Sequence, residues 1–241
     1  MKPHILLINP WIYDFSAYNF WYKPLGLLYL ASILRINGAD ISFIDFLEDD
    51  PAMLFESNIR MGKRKADGDG SYSRQKIKKP LPLKNIPRNF YRYGLTPNLL
   101  LKRLQKLPKP NVIMITAMMT YWYPGLFDTI SLLRLVYPGV PIVIGGNYVS
   151  LCPEHALKSG ADFLLPGAGE GSVPVFVKEL LKMDMQLLPD PGDLDSYPYP
   201  AFDLLNNPES LPILTSRGCP YRCSYCASHL LQPGFYRRNP V

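Results

Sequence analysis

Apolar residues gather into five short runs, at 4–9, 40–46, 111–117, 141–144 and 162–165. Between them, 27–36, 96–107, 123–136, 153–158 and 173–183 read as helices. Pro24-Leu25-Gly26 opens the first helix and Asn37-Gly38 stops it; the second has Thr96 as N-cap and Pro97 in its first turn. The strand runs are nearly continuous rather than alternating, as expected when helices cover both faces of a parallel sheet. Five strands alternating with five helices predict an α/β fold, a doubly wound parallel sheet of Rossmann or flavodoxin type over residues 1–185. Right-handed crossovers then set every loop that follows a strand along one edge of the sheet.

Two stretches break this alternation. Residues from about 50 to 95 form an insertion too long for a structureless loop in a compact domain, and are expected to be functional or mobile. Residues 186–212 are proline-rich without periodicity and read as a linker. Ile213-Leu214-Thr215-Ser216 is a short strand-like run that begins a last segment, 213–241.

Composition narrows the classes. A hydrophobic fraction of 47% with 19% charged residues excludes a disordered chain. No apolar run reaches the ~18 residues of a membrane span. The N-terminus lacks the small-residue cleavage site of a signal peptide, so a cytoplasmic protein is expected. The net charge of +6 is local: residues 60–80 hold eight Lys or Arg against two Asp, and the rest of the chain sums to zero. Lys63-Arg64-Lys65 and Lys76 to Lys79 read as a solvated loop, with binding of nucleic acid as the alternative.

Three of the four cysteines fall within eight residues, in Arg217-Gly218-Cys219-Pro220-Tyr221-Arg222-Cys223-Ser224-Tyr225-Cys226. In a chain expected to be cytosolic, such spacing points to metal rather than disulfides. Three thiolates on a 4Fe–4S cluster leave one iron open to an outside ligand. The alternative is zinc, with His229 completing a Cys3His set. Cys152 reads as an ordinary thiol.

The cysteine segment resembles the signature of the radical S-adenosylmethionine (SAM) superfamily, including the aromatic residue before the last cysteine. The resemblance implies Cys219, Cys223 and Cys226 as cluster ligands and Tyr225 as an adenine contact. It also implies reductive cleavage of SAM by an enzyme whose barrel would follow this segment. With so little chain after Cys226, the sequence as it stands is expected to be inactive alone, the missing barrel being its partner.

The doubly wound domain ahead of that segment resembles the cobalamin-binding class of the same superfamily. The resemblance rests on Pro24 to Ala31 after the first strand, Gly145-Gly146 after the fourth and Gly167-Ala168-Gly169-Glu170-Gly171 after the fifth. It implies that Gly145, Gly146, Gly167, Gly169 and Glu170 approach the nucleotide tail of cobalamin, glycine letting the backbone come close to a bulky ligand. The cobalt-ligating Asp-x-His-x-x-Gly of that class is absent; Pro10 to Phe15 stand there instead. Two aromatic stretches, 11–22 and 118–123, follow strand ends on the same edge and either line a ligand pocket or pack against the barrel. Thr116 and Thr120 could offer hydroxyls there, and His155 lies near a glycine-rich strand end.

The leading expectation is a radical SAM enzyme with a cobalamin-type domain, catalysing methyl transfer. The alternatives are a radical SAM enzyme whose accessory domain recognises substrate without cobalamin, and a zinc-stabilised α/β binding module.

Overall fold

The structure is a computed structural model that describes residues 2–206, 208–232 and 234–239. Met1, Asn207, Pro233, Pro240 and Val241, which fall in the nucleotide-fold, linker and cysteine-tail spans above, lie outside the described residues.

Five parallel strands form the central sheet: β1 (His4–Asn9), β2 (Asp40–Asp45), β3 (Val112–Thr116), β4 (Ile142–Gly145) and β5 (Phe163–Leu165). Their spatial order is β5-β4-β3-β1-β2, so the chain winds outward in both directions from the β1–β3 boundary. This is the flavodoxin-like order, which opens a crevice beyond the carboxyl ends of the strands. The expected fold class is what the chain adopts.

Side chains divide by the pleat. On β1, Ile5 and Leu7 join one core while Leu6 and Ile8 join the other. On β3, Val112 and Met114 go one way and Ile113 and Ile115 the other. The first core is closed by α1 (Leu25–Ile36) and α6 (Gly169–Leu181). The second is closed by α2 (Pro97–Leu104) and α3 (Tyr123–Val136). Ile5, Leu6, Leu7 and Ile8 are each fully buried, a contribution of about 2 kcal/mol per side chain. Thr96 caps α2 as expected, its hydroxyl accepting from the Leu99 amide at 3.2 Å.

Several expectations need correction. The predicted helix at 153–158 is a short helix, α5 (Pro153–Ala156), followed by a 3-10 turn at Leu157–Ser159, and a helix not predicted, α4 (Asn147–Leu151), precedes it. The last predicted helix begins at Gly169 rather than 173, which puts Gly169 and Glu170 in its first turn. The insertion is not a solvated loop. Ile12–Asp14, Phe90–Tyr93, Arg74–Ile77 and Ile59–Arg60 pair antiparallel, in that order, as a second sheet. Arginines of this sheet lie over aromatic rings, Arg74 4.4 Å from the Tyr91 centroid, Arg64 4.9 Å from Tyr72 and Arg92 5.4 Å from Trp11, while Lys63, Lys65, Lys76 and Lys78 stay exposed as expected. The proline-rich stretch does not hang free either. Leu194, Tyr197 and Ala201 are buried, and Tyr197 packs edge-on against Tyr29 of α1 at 5.8 Å. Among the described residues no helix is long and apolar enough to cross a membrane.

At the carboxyl ends of β1 and β2, Asn9 donates to the buried carboxylate of Asp45 at 2.8 Å, and the Leu47 amide donates to the same oxygen at 2.9 Å. Burial, reinforced by the charge of Glu48, pushes the Asp45 carboxyl up to about 6. A carboxyl with its folded pKa raised holds its proton in the native state after the unfolded chain has lost it. Stability therefore falls as pH rises from about 4 through 6. Asp45→Asn keeps both acceptor bonds and removes the buried charge. It should raise stability by on the order of 2 kcal/mol at pH 7. Urea unfolding across pH should show that gain vanish below about pH 4.

Candidate functional site

Beyond the carboxyl ends of β3, β4 and β5 lies a cavity of about 420 Å³, within the range of small-molecule and cofactor sites. Its floor is apolar, made by Leu27 and Leu30 of α1, Met114 and Val143 of the strands, and Leu165 and Val173. Its polar groups include Thr116, Asn147, Ser150, Glu170, Arg217 and Gln232.

Two glycine-bearing strand ends shape the walls. Gly146 has a φ of +96°, and a Cβ there would lie 2.7 Å from the Ala117 carbonyl oxygen. Only glycine lets β4 turn this tightly beside the loop after β3. Ser150 then joins the two loops, donating to the Gly146 carbonyl at 3.0 Å and accepting from the Gly167 amide at 2.8 Å. At Gly167 and at Gly26, in the first turn of α1, an added Cβ would meet nothing within 4 Å. Space is left open along the cavity where side chains would otherwise project. α6 carries no side-chain cap at its start, so its first-turn amides on the cavity wall lack helical partners; in α4 the Tyr148 amide donates to the Ala117 carbonyl at 3.0 Å.

Glu170, only 4% exposed, forms a two-pronged pair with Arg217. Nη2 donates to Oε1 at 2.5 Å and Nη1 to Oε2 at 3.1 Å. Nη1 also reaches Tyr197 Oη at 3.3 Å, and the guanidinium lies 5.3 Å from the Tyr197 ring centroid. Burial works against the charged guanidinium, but the hydrogen bonds and charge of Glu170 outweigh it and hold Arg217 above the ordinary arginine value. The pair ties the first turn of α6 to the start of the cysteine segment.

All five residues expected at the nucleotide tail, Gly145, Gly146, Gly167, Gly169 and Glu170, line this one cavity. Thr116 joins them, as do Tyr22 and Met118 from the two aromatic stretches and the adjoining Lys23. The rest of the two stretches divides. Trp11 and Tyr13 are buried in the core, Trp11 donating to the Leu95 carbonyl at 2.6 Å, while Phe20, Trp21 and Tyr121 stay exposed. His155 is held away from the cavity, with Nδ1 2.7 Å from Tyr148 Oη and its ring centroid 4.7 Å from that of Tyr123. Cys152 packs partly buried against the core. Ser150, Asn147, Arg217 and Gln232 also line the cavity, and no motif in the sequence marks them for it.

The three cysteines lie on the irregular segment between Arg217 and α7 (Ser228–Leu231), Cys223 exposed and Cys219 and Cys226 half-buried. Among the described residues no three His, Cys, Asp or Glu side chains stand together as a metal site. The donor set is present in the chain but not gathered. The Ser228 hydroxyl, 3.2 Å from Cys226 Sγ, and the Ser228 amide hold the Cys226 thiol below its usual value, which favours the thiolate a metal needs. Tyr225 is 91% exposed and does not reach the cavity.

Residues 94–177 match the family model of the B12 binding domain. That window holds β3, β4, β5 and both glycine-bearing loops. The chain is 31% identical over 107 residues to an uncharacterized methyltransferase of Synechocystis sp., covering 42% of this chain and 19% of that protein. It is 31% identical over 110 residues to the hopanoid C-2 methylase of Rhodopseudomonas palustris, covering 42% of this chain and 20% of that protein. An uncharacterized methyltransferase of Pyrococcus horikoshii is 25% identical over 167 residues, or 57% of this chain and 36% of that protein. The chain thus spans about a fifth to a third of the length of these curated relatives.

The two kinds of glycine on the cavity wall should respond oppositely. Gly146→Ala forces a side chain into backbone at positive φ and should cost about 1–3 kcal/mol. Gly26→Ala fills open space in a helix and should gain about 0.5–1 kcal/mol. Denaturant unfolding of the two variants measures both.

Proposed function

We propose that this chain holds the nucleotide tail of cobalamin in the cavity beyond β3, β4 and β5, and a 4Fe–4S cluster on Cys219, Cys223 and Cys226. The whole protein would be a radical SAM methyltransferase. The carrying observation is the cavity itself: both glycine-bearing loops of the B12-binding window wall it, and so does Arg217 at the head of the cysteine segment. The residues present fit the group, with an apolar floor for a flat base and open space at Gly26 and Gly167. Relatives named as methyltransferases support the reaction class.

When bound, cobalamin supplies a methyl-carrying cobalt centre and the cluster supplies the single electron that cleaves SAM. The chain's own residues bind and place these groups. Leu30, Met114 and Val173 exclude water from the cavity floor. The uncapped start of α6 offers amides to acceptors on the tail. Ser150 spends its hydroxyl hydrogen on Gly146 and a lone pair on Gly167, holding the two loops at one spacing. No histidine stands in the loop after β1, so the chain offers no imidazole there to cobalt.

One observation favours a second reading of the cysteine segment: His229 Nδ1 is buried without a hydrogen-bond partner, three residues after Cys226. Zinc bound by three thiolates and this imidazole would use it.

Two measurements test these readings. Hydroxocobalamin should bind the chain stoichiometrically by absorbance titration. Gly26→Leu should weaken that binding about tenfold or more while leaving the unfolding midpoint unlowered. A folded protein that retains no cobalamin would sink the cavity assignment. After anaerobic reconstitution, about four irons and four sulfides per chain are expected, lost when Cys219, Cys223 and Cys226 are all replaced by alanine. Zinc without sulfide would replace the cluster by the Cys3His site.

A further inference from the structure

The cysteine segment is strung between two walls of the same cavity. Arg217 lines the cavity where the segment begins, and Leu231 and Gln232 line it where the segment ends. Ser216–Arg217 and Tyr236–Arg237 pair antiparallel and close the base of the loop, with the Arg238 amide donating to the Thr215 carbonyl at 2.9 Å. Between these anchors the segment is thinly tied. Tyr221 and Tyr225 are 72% and 91% exposed, and the turn bond from the Cys226 amide to the Cys223 carbonyl is 3.1 Å long. The place of the loop therefore depends on its ends. The stronger end is the two-pronged pair of Arg217 with buried Glu170.

We propose that filling the cavity orders the cysteine segment, and that the Glu170–Arg217 pair carries this coupling as a positioning device. The inference rests on the reading that the cavity takes cobalamin. A ligand lying against Glu170, Arg217, Leu231 and Gln232 displaces water from the mouth. The pair then works in a lower effective dielectric, where its attraction is stronger. The same ligand gives Leu231 and Gln232 a surface to pack on. Both ends of the loop are thus held more firmly when the cavity is full. The coupling is reciprocal: whatever the filled cavity contributes to loop order, an ordered loop returns to ligand affinity. Three separate thiols on an irregular segment bear an ordering cost before they can share one cluster, and the filled cavity removes part of it.

Hydrogen exchange reads this without a cluster or turnover. With hydroxocobalamin saturating, amides in a peptide covering 217–232 should exchange about fivefold or more slowly than in the free protein. In Glu170→Gln, with hydroxocobalamin raised until its absorbance titration again saturates, exchange in that peptide should no longer respond to the ligand. Arg217→Lys keeps the charge and loses the fork, and should retain part of the response; it also carries the test if Glu170→Gln fails to fold. Binding without slowed exchange in the parent chain overturns the coupling. So does an undiminished response in both variants, which would move it to Leu231 and Gln232. Absence of cobalamin binding in the parent chain is a different result, because it removes the cavity assignment itself.

Discussion

Parallel pairing with right-handed crossovers is the constraint on which the rest of this structure depends. Each return from one strand to the next crosses a face of the sheet, so the five strands run in one direction and their carboxyl ends share one edge. Everything with chemical interest follows from that placement. The loops after β3, β4 and β5, the start of α1 and the start of α6 meet at one cavity although they are widely separated in sequence. The crevice is not carved out by particular residues. It opens where the winding leaves strand ends uncovered, and the residues decide what it can hold.

Onto that edge the chain attaches a segment that belongs to no strand of the central sheet. A buried ion pair is an expensive fastener, since both charges leave water, and swapping such a pair for apolar residues is often neutral or stabilising. Its advantage is direction. The guanidinium fork meets the carboxylate in one plane, with Tyr197 beside it as a third partner. An apolar contact would hold Arg217's position near α6 without setting its orientation.

How much of this could be read from sequence differs from element to element, for physical reasons. The five strands and four of the helices announce themselves, because burial on two faces leaves unbroken apolar runs and helices carry their own periodicity. The glycine-bearing strand ends were legible because few other residues fit a turn such as that at Gly146, and all five residues chosen there line the cavity. The second sheet was not legible. Its strands are two to four residues long, and the ring partners of Arg64 and Arg74, Tyr72 and Tyr91, are brought alongside only by folding, while the neighbouring lysines do face solvent. Residues 194–201 looked like a linker because prolines erase periodicity, yet Leu194 and Tyr197 bury themselves without any regular element to signal it. The Glu170–Arg217 contact spans 47 positions and leaves no local trace.

The alternation of β1 and β3 between two cores has a consequence for the domain as a mechanical object. Leu6 and Leu7 are neighbours in sequence but support opposite layers, so neither layer can melt while the other stays intact. The helices on the two faces are therefore halves of one cooperative unit, with the central strands as their shared spine. An insertion or deletion of one residue within β1 would exchange the two sets of side chains and spoil both cores at once. Residues in the second sheet have no such double duty. The exposed lysines of that sheet, Lys63, Lys65, Lys76 and Lys78, can change while the spine keeps its shape, whereas Tyr13 and Phe90 are buried in one of its two cores.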